Sequence, residues 1–362
     1  MLLPTLLLYL LTTLPHLSTA RQHNRHRTIH VSSGSSIQAA INRSHRGDTI
    51  IVSAGTYAEQ ITITTPFLTL IGHNAIILPP STYITNTCTN LAGPGTQAGI
   101  CISGSDVTLQ PLSEFNGEHL KVLTVGRHVE GVTVTGFTVK NFPGLNIAIV
   151  GAKRAHVHDN TLSSSSQYGA LTVGSEGTVV AYNSVSSVGK ANGGPFGFYF
   201  IGICMDDMSD VEVVHNDVGG YFIGLCVQTS RALVVQNVVH DVCVGAFVDP
   251  GIKGARVEYN IFSNTPAGCP TTPQFSSGVT ISGAKRTLVK GNRILNIRNS
   301  AGKGTGVVIM DDADTKDVAE GNLVEGNWFV GDDQDVLVTA TGKGNVVRRN
   351  RCQAPSSAGG CH

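Results

Sequence analysis

Two aspartates and a glutamine end three segments of closely similar pattern. Asp206 ends the run IGICMD, Gln228 ends IGLCVQ and Asp249 ends VGAFVD. If these runs are strands of adjacent coils about 4.8 Å apart, the two aspartates lie about 10 Å apart at the backbone, with Gln228 between them. That is close to the carboxyl separation at which an inverting glycosidase leaves room for a water molecule. The spacing therefore favours acid and base chemistry on one outward column.

Other polar and aromatic residues surround this column in the sequence. His240 is followed by Asp241, so it could be a base oriented by a carboxylate. Aromatic faces beside acidic groups suit sugar rings, with stacking on C–H surfaces and hydrogen bonds to hydroxyls. The predicted catalytic residues are Asp206, Asp249 and His240. The predicted substrate-binding residues are Gln228, Phe198, Tyr199, Tyr221, Asp207 and Lys253.

The same residues also allow a purely structural interpretation. Asp206 with Asp207 is a common turn opener, and Asp249-Pro250-Gly251 is an ordinary turn signal. Phe198 could simply cover the core of its coil, and a histidine in a turn is usually solvated. The sequence alone leaves both interpretations open.

An acidic cluster further along the chain is compatible with calcium. It comprises Asp311, Asp312, Asp314 and Asp317, whose oxygens are hard ligands, although no fixed metal-loop spacing is present. A β-eliminating lyase would need such a cation and a basic residue, for which Lys253 and Arg256 are the nearest candidates. The prediction is therefore no cofactor, with calcium only if the protein is a lyase.

A repeat supplies the elements that position these side chains. The pattern valine, two residues, asparagine occurs eight times, and its asparagines are Asn160, Asn183, Asn216, Asn237, Asn260, Asn292, Asn327 and Asn350. Four of the seven intervals are 21 to 23 residues long, and the others are 32 to 35. A period of this length indicates a solenoid, and short alternating β-branched segments indicate coils of strands. The asparagines would stack as a hydrogen-bonded ladder.

The ladder and the N-terminal motifs together resemble the pectate-lyase-like right-handed parallel β-helix superfamily. The N-terminal motifs are SIQAAI at 36–41, GDTIIV at 47–52 and GTYAE at 55–59, and the likeness runs from about residue 31 to 351. The resemblance implies an all-β, right-handed parallel β-helix solenoid with a short N-terminal capping helix. It specifies the fold far better than the activity.

No complete catalytic motif of a β-helix enzyme family is present. The opening 52–63 resembles a fungal pectin methylesterase, but the Gln-Asp-Thr and Asp-Phe motifs are missing. Only Asp206-Asp207 and Asp311-Asp312 are similar to any polygalacturonase motif, and the Asp-Pro-His-Glu motif of alginate epimerases is absent because Gly251 follows Asp249-Pro250.

The termini and the composition predict a secreted, extracellular, monomeric protein. Residues 1–20 look like a signal peptide, followed by one β-helix domain over 21–362 with a capping segment at 31–50, coils at about 50–351 and a tail at 352–362. Asn42 heads an N-glycosylation sequon. Lys+Arg and Asp+Glu both number 25, so no overall field attracts nucleic acid or an anionic membrane. The predicted partner is a polysaccharide or other glycan, without nucleic acid or membrane once the signal is cleaved.

The eight cysteines predict four disulfides in an oxidising compartment. Cys204 and Cys226 hold the same outward position on adjacent coils, within disulfide reach. Cys243 with Cys269 would pin a long loop. Cys88 with Cys101 and Cys352 with Cys361 remain as local closures at the two ends.

These features favour a secreted protein that acts on a polysaccharide as a glycoside hydrolase or lyase. Two alternatives stay open, a non-catalytic glycan-binding or cell-wall protein, and an isomerase or cyclase acting on a small molecule. The shape of the face that carries Asp206 and Asp249 separates them, since it can be an open groove, a flat surface or a capped apolar cavity.

Overall fold

The computed structural model describes residues 26–187, 197–357 and 359–361. Its strands are short and follow one another around successive coils. The first ten are β1 Thr28–Val31, β2 Thr49–Val52, β3 Gly55–Ala58, β4 Ile61–Ile63, β5 Thr69–Leu78, β6 Gln97–Ser103, β7 Ser105–Leu109, β8 Val122–Arg127, β9 Val129–Glu130 and β10 Thr133–Lys140. The next twelve are β11 Gly144–Val150, β12 Ala152–Lys153, β13 His156–His158, β14 Thr161–Ser163, β15 Tyr168–Val173, β16 Val179–Ala181, β17 Ser184–Ser186, β18 Tyr199–Asp206, β19 Glu212–Val214, β20 Asp217–Gly219, β21 Tyr221–Val227 and β22 Leu233–Val235.

The remaining strands continue the same succession. They are β23 Val238–His240, β24 Val244–Val248, β25 Arg256–Glu258, β26 Ile261–Ser263, β27 Ser277–Ser282, β28 Leu288–Lys290, β29 Arg293–Leu295, β30 Thr305–Met310, β31 Leu323–Glu325, β32 Trp328–Val330, β33 Gln334–Val338 and β34 Val346–Arg348. Within the described residues, the α-helix α1 spans Ile37–Asn42, and short 3₁₀ turns cover Leu112–Glu114 and Pro273–Phe275.

Two long parallel sheets run along the solenoid. One contains twenty strands, and the other contains β4, β6, β11, β15, β18, β21, β24, β27, β30 and β33 in that order. The hairpin of β7 and β8 is the antiparallel exception among the described strand pairs. In the ten-stranded sheet Cys204 lies opposite Cys226, and Val227 lies opposite Val248. The predicted coil register is therefore confirmed.

The interior of the coils is apolar. Ile203, Leu225 and Ala246 are fully buried in the main core, as alternation predicts. A second apolar cluster, which includes Leu171 and Cys204, covers the outer side of the ten-stranded sheet. Loops packed over that side therefore bury it, although an outward strand face would otherwise meet solvent.

The predicted asparagine ladder is present. From Asn160 to Asn327, the side-chain amide of each member donates to the Oδ1 atom of the next at 2.9–3.1 Å. Each of the eight asparagines is at most 2% exposed. The ladder thus satisfies polar groups that burial would otherwise leave unpaired.

Glycines mark the point where most coils enter the ten-stranded sheet. A Cβ atom on Gly278 would lie 2.7 Å from both the carbonyl oxygen of Gly306 and Cγ2 of Ile294. In the last coil Asp335 takes the position opposite Gly306, between the paired residues Thr305–Gln334 and Val307–Val336. Its Oδ2 accepts the backbone N–H groups of Gln353 and Ala354, which belong to the C-terminal tail.

The N-terminal segment contains the expected short helix. Ser36 caps α1 by accepting the N–H of Ala39, and Ile37 and Ile41 are buried. That α1 closes the end of the solenoid stays a prediction, and the proposed signal peptide lies outside the described residues. No helix in the described ranges is long and apolar enough to cross a membrane.

The predicted disulfide pairing is confirmed for all eight cysteines. The Cα–Cα distances are 5.9 Å for Cys88–Cys101, 4.4 Å for Cys204–Cys226, 5.4 Å for Cys243–Cys269 and 5.3 Å for Cys352–Cys361. These fall in the range that disulfides adopt.

Candidate functional site

The predicted column of Asp206, Gln228 and Asp249 exists and borders one pocket. Asp206 ends β18, while Gln228 and Asp249 directly follow β21 and β24. The N–H of Gln228 donates to Met205 at 2.8 Å, and that of Asp249 donates to Val227 at 3.0 Å, so the parallel register continues through the column. All three side chains line a pocket of about 710 Å³.

An inserted hairpin brings a second set of polar residues over this column. β7 and β8 pair with each other, and the N–H of Gln110 donates to the carbonyl of Lys121 at 2.8 Å where the loop between them closes. Leu120 is buried against the outer apolar cluster and anchors the loop. This packing carries Glu118 and Lys121 to the pocket and His119 beneath it.

His119 links the column to the protein interior. Its side chain is fully buried, and Nε2 lies 3.0 Å from Oδ2 of Asp206. Nδ1 lies 3.3 Å from the hydroxyl of the buried Tyr168. The imidazole therefore holds the Asp206 carboxylate from below, on the side away from solvent.

Lys121 and Gln228 connect the carboxylates to each other. Lys121 Nζ lies 3.1 Å from Oδ2 of Asp206 and donates to Oε1 of Gln228 at 2.6 Å. The Gln228 Nε2 atom donates to Oε2 of Glu118 at 2.7 Å and to Oδ2 of Asp249 at 2.5 Å. Three carboxylates thus share one amide and one ammonium group.

The two column carboxylates differ in their surroundings. Burial raises the pKa of Asp249 well above its usual value, and the negative charge of Glu118 raises it further. The hydrogen bond from Gln228 and the charge of Lys121 oppose this shift without cancelling it. Asp206, in contrast, has a direct ion pair with Lys121. A carboxyl group with a raised pKa therefore lies beside one that is paired with a cation, an arrangement typical of acid–base sites.

Aromatic side chains form the apolar wall of the pocket. Phe275 lies 6.3 Å from Phe247 and 5.9 Å from Phe222, measured between ring centroids, and Phe200 completes the wall. Asp312, Asp314 and Thr315 also line the pocket. A concave site of this volume, with an apolar wall and a few convergent polar groups, is suited to a small organic ligand or a short saccharide.

The fold of this chain occurs in solved structures, although sequence comparison finds no relative. No protein-family model and no curated protein matches the chain. An alginate lyase from Paenibacillus sp. is 13% identical with a TM-score of 0.53, and the alignment covers 86% of this chain and 99% of the lyase. The chain is a parallel β-helix protein.

Two other solved structures share this β-helix. The A-module of a mannuronan C-5 epimerase from Azotobacter vinelandii is 18% identical, with a TM-score of 0.53 and coverage of 90% and 91%. A family 28 exopolygalacturonase from Yersinia enterocolitica is 13% identical, with a TM-score of 0.51 and coverage of 93% and 79%. The chain spans 60% of a Geobacillus virus E2 protein that it also resembles. The predicted parallel β-helix architecture is thus confirmed.

Several predicted binding residues of this β-helix lie outside the pocket. Asp207 is 7% exposed and accepts hydrogen bonds from the hydroxyl of Thr172 and the N–H of Ser175. Tyr221 is fully buried in the main core, with Tyr199 packed edge-on against it. Side chains normally alternate between the two faces of a strand. This alternation is interrupted at the glycines where the coils enter the ten-stranded sheet, so both tyrosine rings point inward. Asp207, Tyr199 and Tyr221 therefore cannot touch a ligand in this pocket.

The remaining predicted residues lie on other surfaces. His240 ends β23 in the twenty-stranded sheet, where it contacts Asp217 and Asp241 and not the column. Lys253 lines a separate pocket beyond the turn that follows Asp249. Phe198 packs on the outer apolar cluster and does not line the pocket.

Glu118, His119 and Lys121 were not predicted as site residues. They lie in an insertion that lacks the valine–asparagine pattern, so the repeat gives them no register. The sequence signal that could have identified them is the presence of three ionisable side chains within four positions. Asp312 and Asp314 of the acidic cluster do line the pocket, but the described residues contain no group of three or more acidic, histidine or cysteine side chains arranged to hold a metal ion.

Proposed function

We propose that this β-helix protein is a carbohydrate-active hydrolase that cleaves a glycosidic bond in the pocket of Asp206, Gln228 and Asp249. The observation that carries the proposal is the pairing of two carboxyl groups in unlike surroundings on one pocket: burial raises the pKa of Asp249, and Asp206 is ion-paired with Lys121. The parallel β-helix enzymes that share the fold act on polysaccharides by their names, which supports the choice of substrate class.

The protonated Asp249 is the general acid in this scheme. It donates its proton to the glycosidic oxygen as the bond from that oxygen to the anomeric carbon breaks. Gln228 holds the carboxyl group through its amide, which fixes the direction of the proton. Water attacks the anomeric carbon from the opposite side and gives its proton to Asp206, so that both carboxyl groups exchange charge in one step.

Lys121 and His119 orient the Asp206 carboxylate, which acts as the general base in this scheme. The ammonium group approaches Oδ2 from the pocket side, and the imidazole contacts the same oxygen from the interior. In this scheme the second carboxylate oxygen of Asp206, a residue that lines the pocket, binds the attacking water molecule. The phenylalanine wall supplies apolar faces for the sugar ring.

The dimensions of the site favour a short saccharide or a chain end. A volume of about 710 Å³ is in the range of small-molecule sites. Four disulfides support an oxidising compartment, so we further propose that the protein is secreted after removal of its leader and acts as a monomer. Glycosylation at the exposed Asn42 is consistent with that location.

A product screen with Asp249→Asn tests the proposal. Purified protein incubated with plant, algal and bacterial polysaccharides should release new reducing ends, and Asp249→Asn should lower the rate about 10²–10⁴-fold without loss of substrate binding. Asp241→Asn, an exposed carboxylate on another face, is the matched control and should keep full activity.

Four results would overturn hydrolysis. Full activity of Asp249→Asn would remove the proposed acid. An unsaturated, ultraviolet-absorbing product would assign lyase chemistry to the pocket. Saturable glycan binding without any product across the screen would instead assign the non-catalytic alternative, and turnover of a small molecule alone would assign the isomerase or cyclase.

A further inference from the structure

A second pocket of this protein is built mainly from basic side chains. It has a volume of about 590 Å³ and lies along the turns that follow the ten-stranded sheet. Its lining residues are Lys253, Lys285, Arg286, Glu320, Gly321, Lys343 and Gly344. We call this surface the basic groove. Four cations and a single carboxylate line it, although the whole chain has equal numbers of basic and acidic residues.

The coil register produces the groove. Lys253 pairs with Lys285 and Lys285 with Glu320 in parallel bridges, and the N–H of Gly321 donates to the carbonyl of Lys343. These residues occupy one turn position on successive coils, about 4.8 Å apart. Three lysines and Glu320 are therefore arranged in a line parallel to the solenoid axis, with Arg286 at the next position.

Glycines on the next position open space for the charged side chains. A Cβ atom on Gly321 would lie 3.5 Å from Cγ of Arg286, and one on Gly254 would lie 3.6 Å from Cγ of Arg231. Each arginine stem thus lies across the glycine of the following coil. Of these two arginines, Arg286 lines the groove.

Most of these cations lack an acidic partner. Lys285 Nζ lies 3.4 Å from Oε2 of Glu320. Within the described ranges, Lys253, Arg286 and Lys343 form no ion pair with a carboxylate at 4.0 Å or less. Exposed like charges this close repel one another, and an extended anion would relieve the repulsion.

We infer that the basic groove is a second binding site for an acidic polysaccharide, distinct from the cleavage pocket. The unpaired positive charges of the groove indicate that its ligand is an anion. That this anion is a glycan rests on the proposed function. Ile252 lines the cleavage pocket and the next residue, Lys253, lines the groove, so the two sites adjoin around one turn. A long chain can therefore occupy both.

Binding measurements on a charge-removal variant test the inference. The probes are polygalacturonate, neutral dextran of similar length and single-stranded DNA. Wild-type protein should bind polygalacturonate with an affinity that falls as salt rises. The triple variant Lys253→Gln, Arg286→Gln, Lys343→Gln should bind at least tenfold more weakly, while dextran shows no comparable binding.

A matched control removes three lysines elsewhere. Lys140→Gln, Lys290→Gln, Lys303→Gln makes the same change in net charge away from the groove and should bind polygalacturonate as wild type does. Equal binding by the groove variant, or equal loss in the control variant, would overturn the inference. Tighter binding of DNA than of polygalacturonate would do so as well, by assigning a nucleic-acid ligand.

The cleavage site and the groove can fail separately in this design. Asp249→Asn should retain wild-type binding to polygalacturonate even if it loses all turnover. The groove variant should keep its rate on short oligosaccharides and lose efficiency only on long acidic chains. If Asp249→Asn alone abolishes polygalacturonate binding, the anion binds in the cleavage pocket and the groove assignment is wrong.

Discussion

Nε2 of His119 lies 3.0 Å from Oδ2 of Asp206, although 87 positions separate the two residues in the chain. The imidazole is fully buried, so this contact is formed only when the inserted hairpin packs over the ten-stranded sheet. The orientation of the Asp206 side chain, which lies on a strand of the repeat, thus depends on the inserted hairpin, which lies outside the repeat.

His119→Leu should lower kcat about 100-fold and leave KM within a fewfold, because Asp206 loses the contact that aims it at water. Steady-state kinetics on the substrate found in the product screen measures both constants. His156→Leu, on an exposed position of β13, is the control and should be silent. An unchanged kcat in a folded His119→Leu protein would show that Lys121 alone positions Asp206.

The pH dependence of activity should follow Asp249. A general acid works only when protonated, so activity is present below the pKa of Asp249 and is lost as pH rises through it. Burial and the charge of Glu118 raise this pKa, and Glu118→Gln should therefore move the alkaline limb of kcat/KM to lower pH. Glu114→Gln, an exposed neighbour, should leave the profile unchanged. A limb that stays in place in Glu118→Gln would contradict the assignment of the acid.

Asp207 should make the free energy of unfolding depend on pH. Burial raises its pKa from 3.8 to about 7, which corresponds to about 4 kcal/mol. The folded state binds this proton more tightly than the unfolded state, so its contribution is complete below about pH 4 and is lost as pH rises to about 7.

Asp207→Asn removes this dependence while it can keep the hydrogen bonds to Thr172 and Ser175. Thermal melts should show equal stability of variant and wild type near pH 4 and a growing advantage of the variant towards pH 8. The exposed Asp210→Asn should show no such trend. A constant difference across this range would mean that Asp207 stays ionised in the fold.

The ladder should be a measurable source of stability. Asn237→Ala removes an amide that donates to Val213 and Asn260 and accepts from Asn216, and it should lower the free energy of unfolding by about 1–3 kcal/mol. Gln236→Ala, on the adjacent turn position, should be nearly neutral. Equal losses in the two variants, measured by denaturant titration, would refute the structural role of the ladder.

The sequence predicted those features that the repeat itself encodes. The spacing of Val234 and Asn237 from their counterparts defined the register, and from it followed the column of Asp206, Gln228 and Asp249 and the bond between Cys204 and Cys226. Each of these depends only on strand alternation and on the distance between coils.

The remaining parts of the site depend on long-range packing that spacing does not specify. Tyr199 and Tyr221 were assigned to the surface, but the bend at the glycine column turns both rings into the core. His240 was assigned from its neighbour Asp241, while its strand belongs to the other sheet. Glu118 and His119 lie in the hairpin insertion, whose docking is governed by the burial of Leu120.

The hairpin supplies Glu118, His119 and Lys121 to the site of this protein, whereas the coils supply its scaffold. The coils require valines, glycines and asparagines at fixed positions, whereas the hairpin needs only to pack apolar side chains such as Leu109, Leu120 and Val122 on the outer cluster. Substitutions in the hairpin can therefore change the charges above Asp206 and Asp249 without cost to the ladder. Proteins with this same solenoid could differ in reaction through one loop, and comparisons based on the coils alone would group them together.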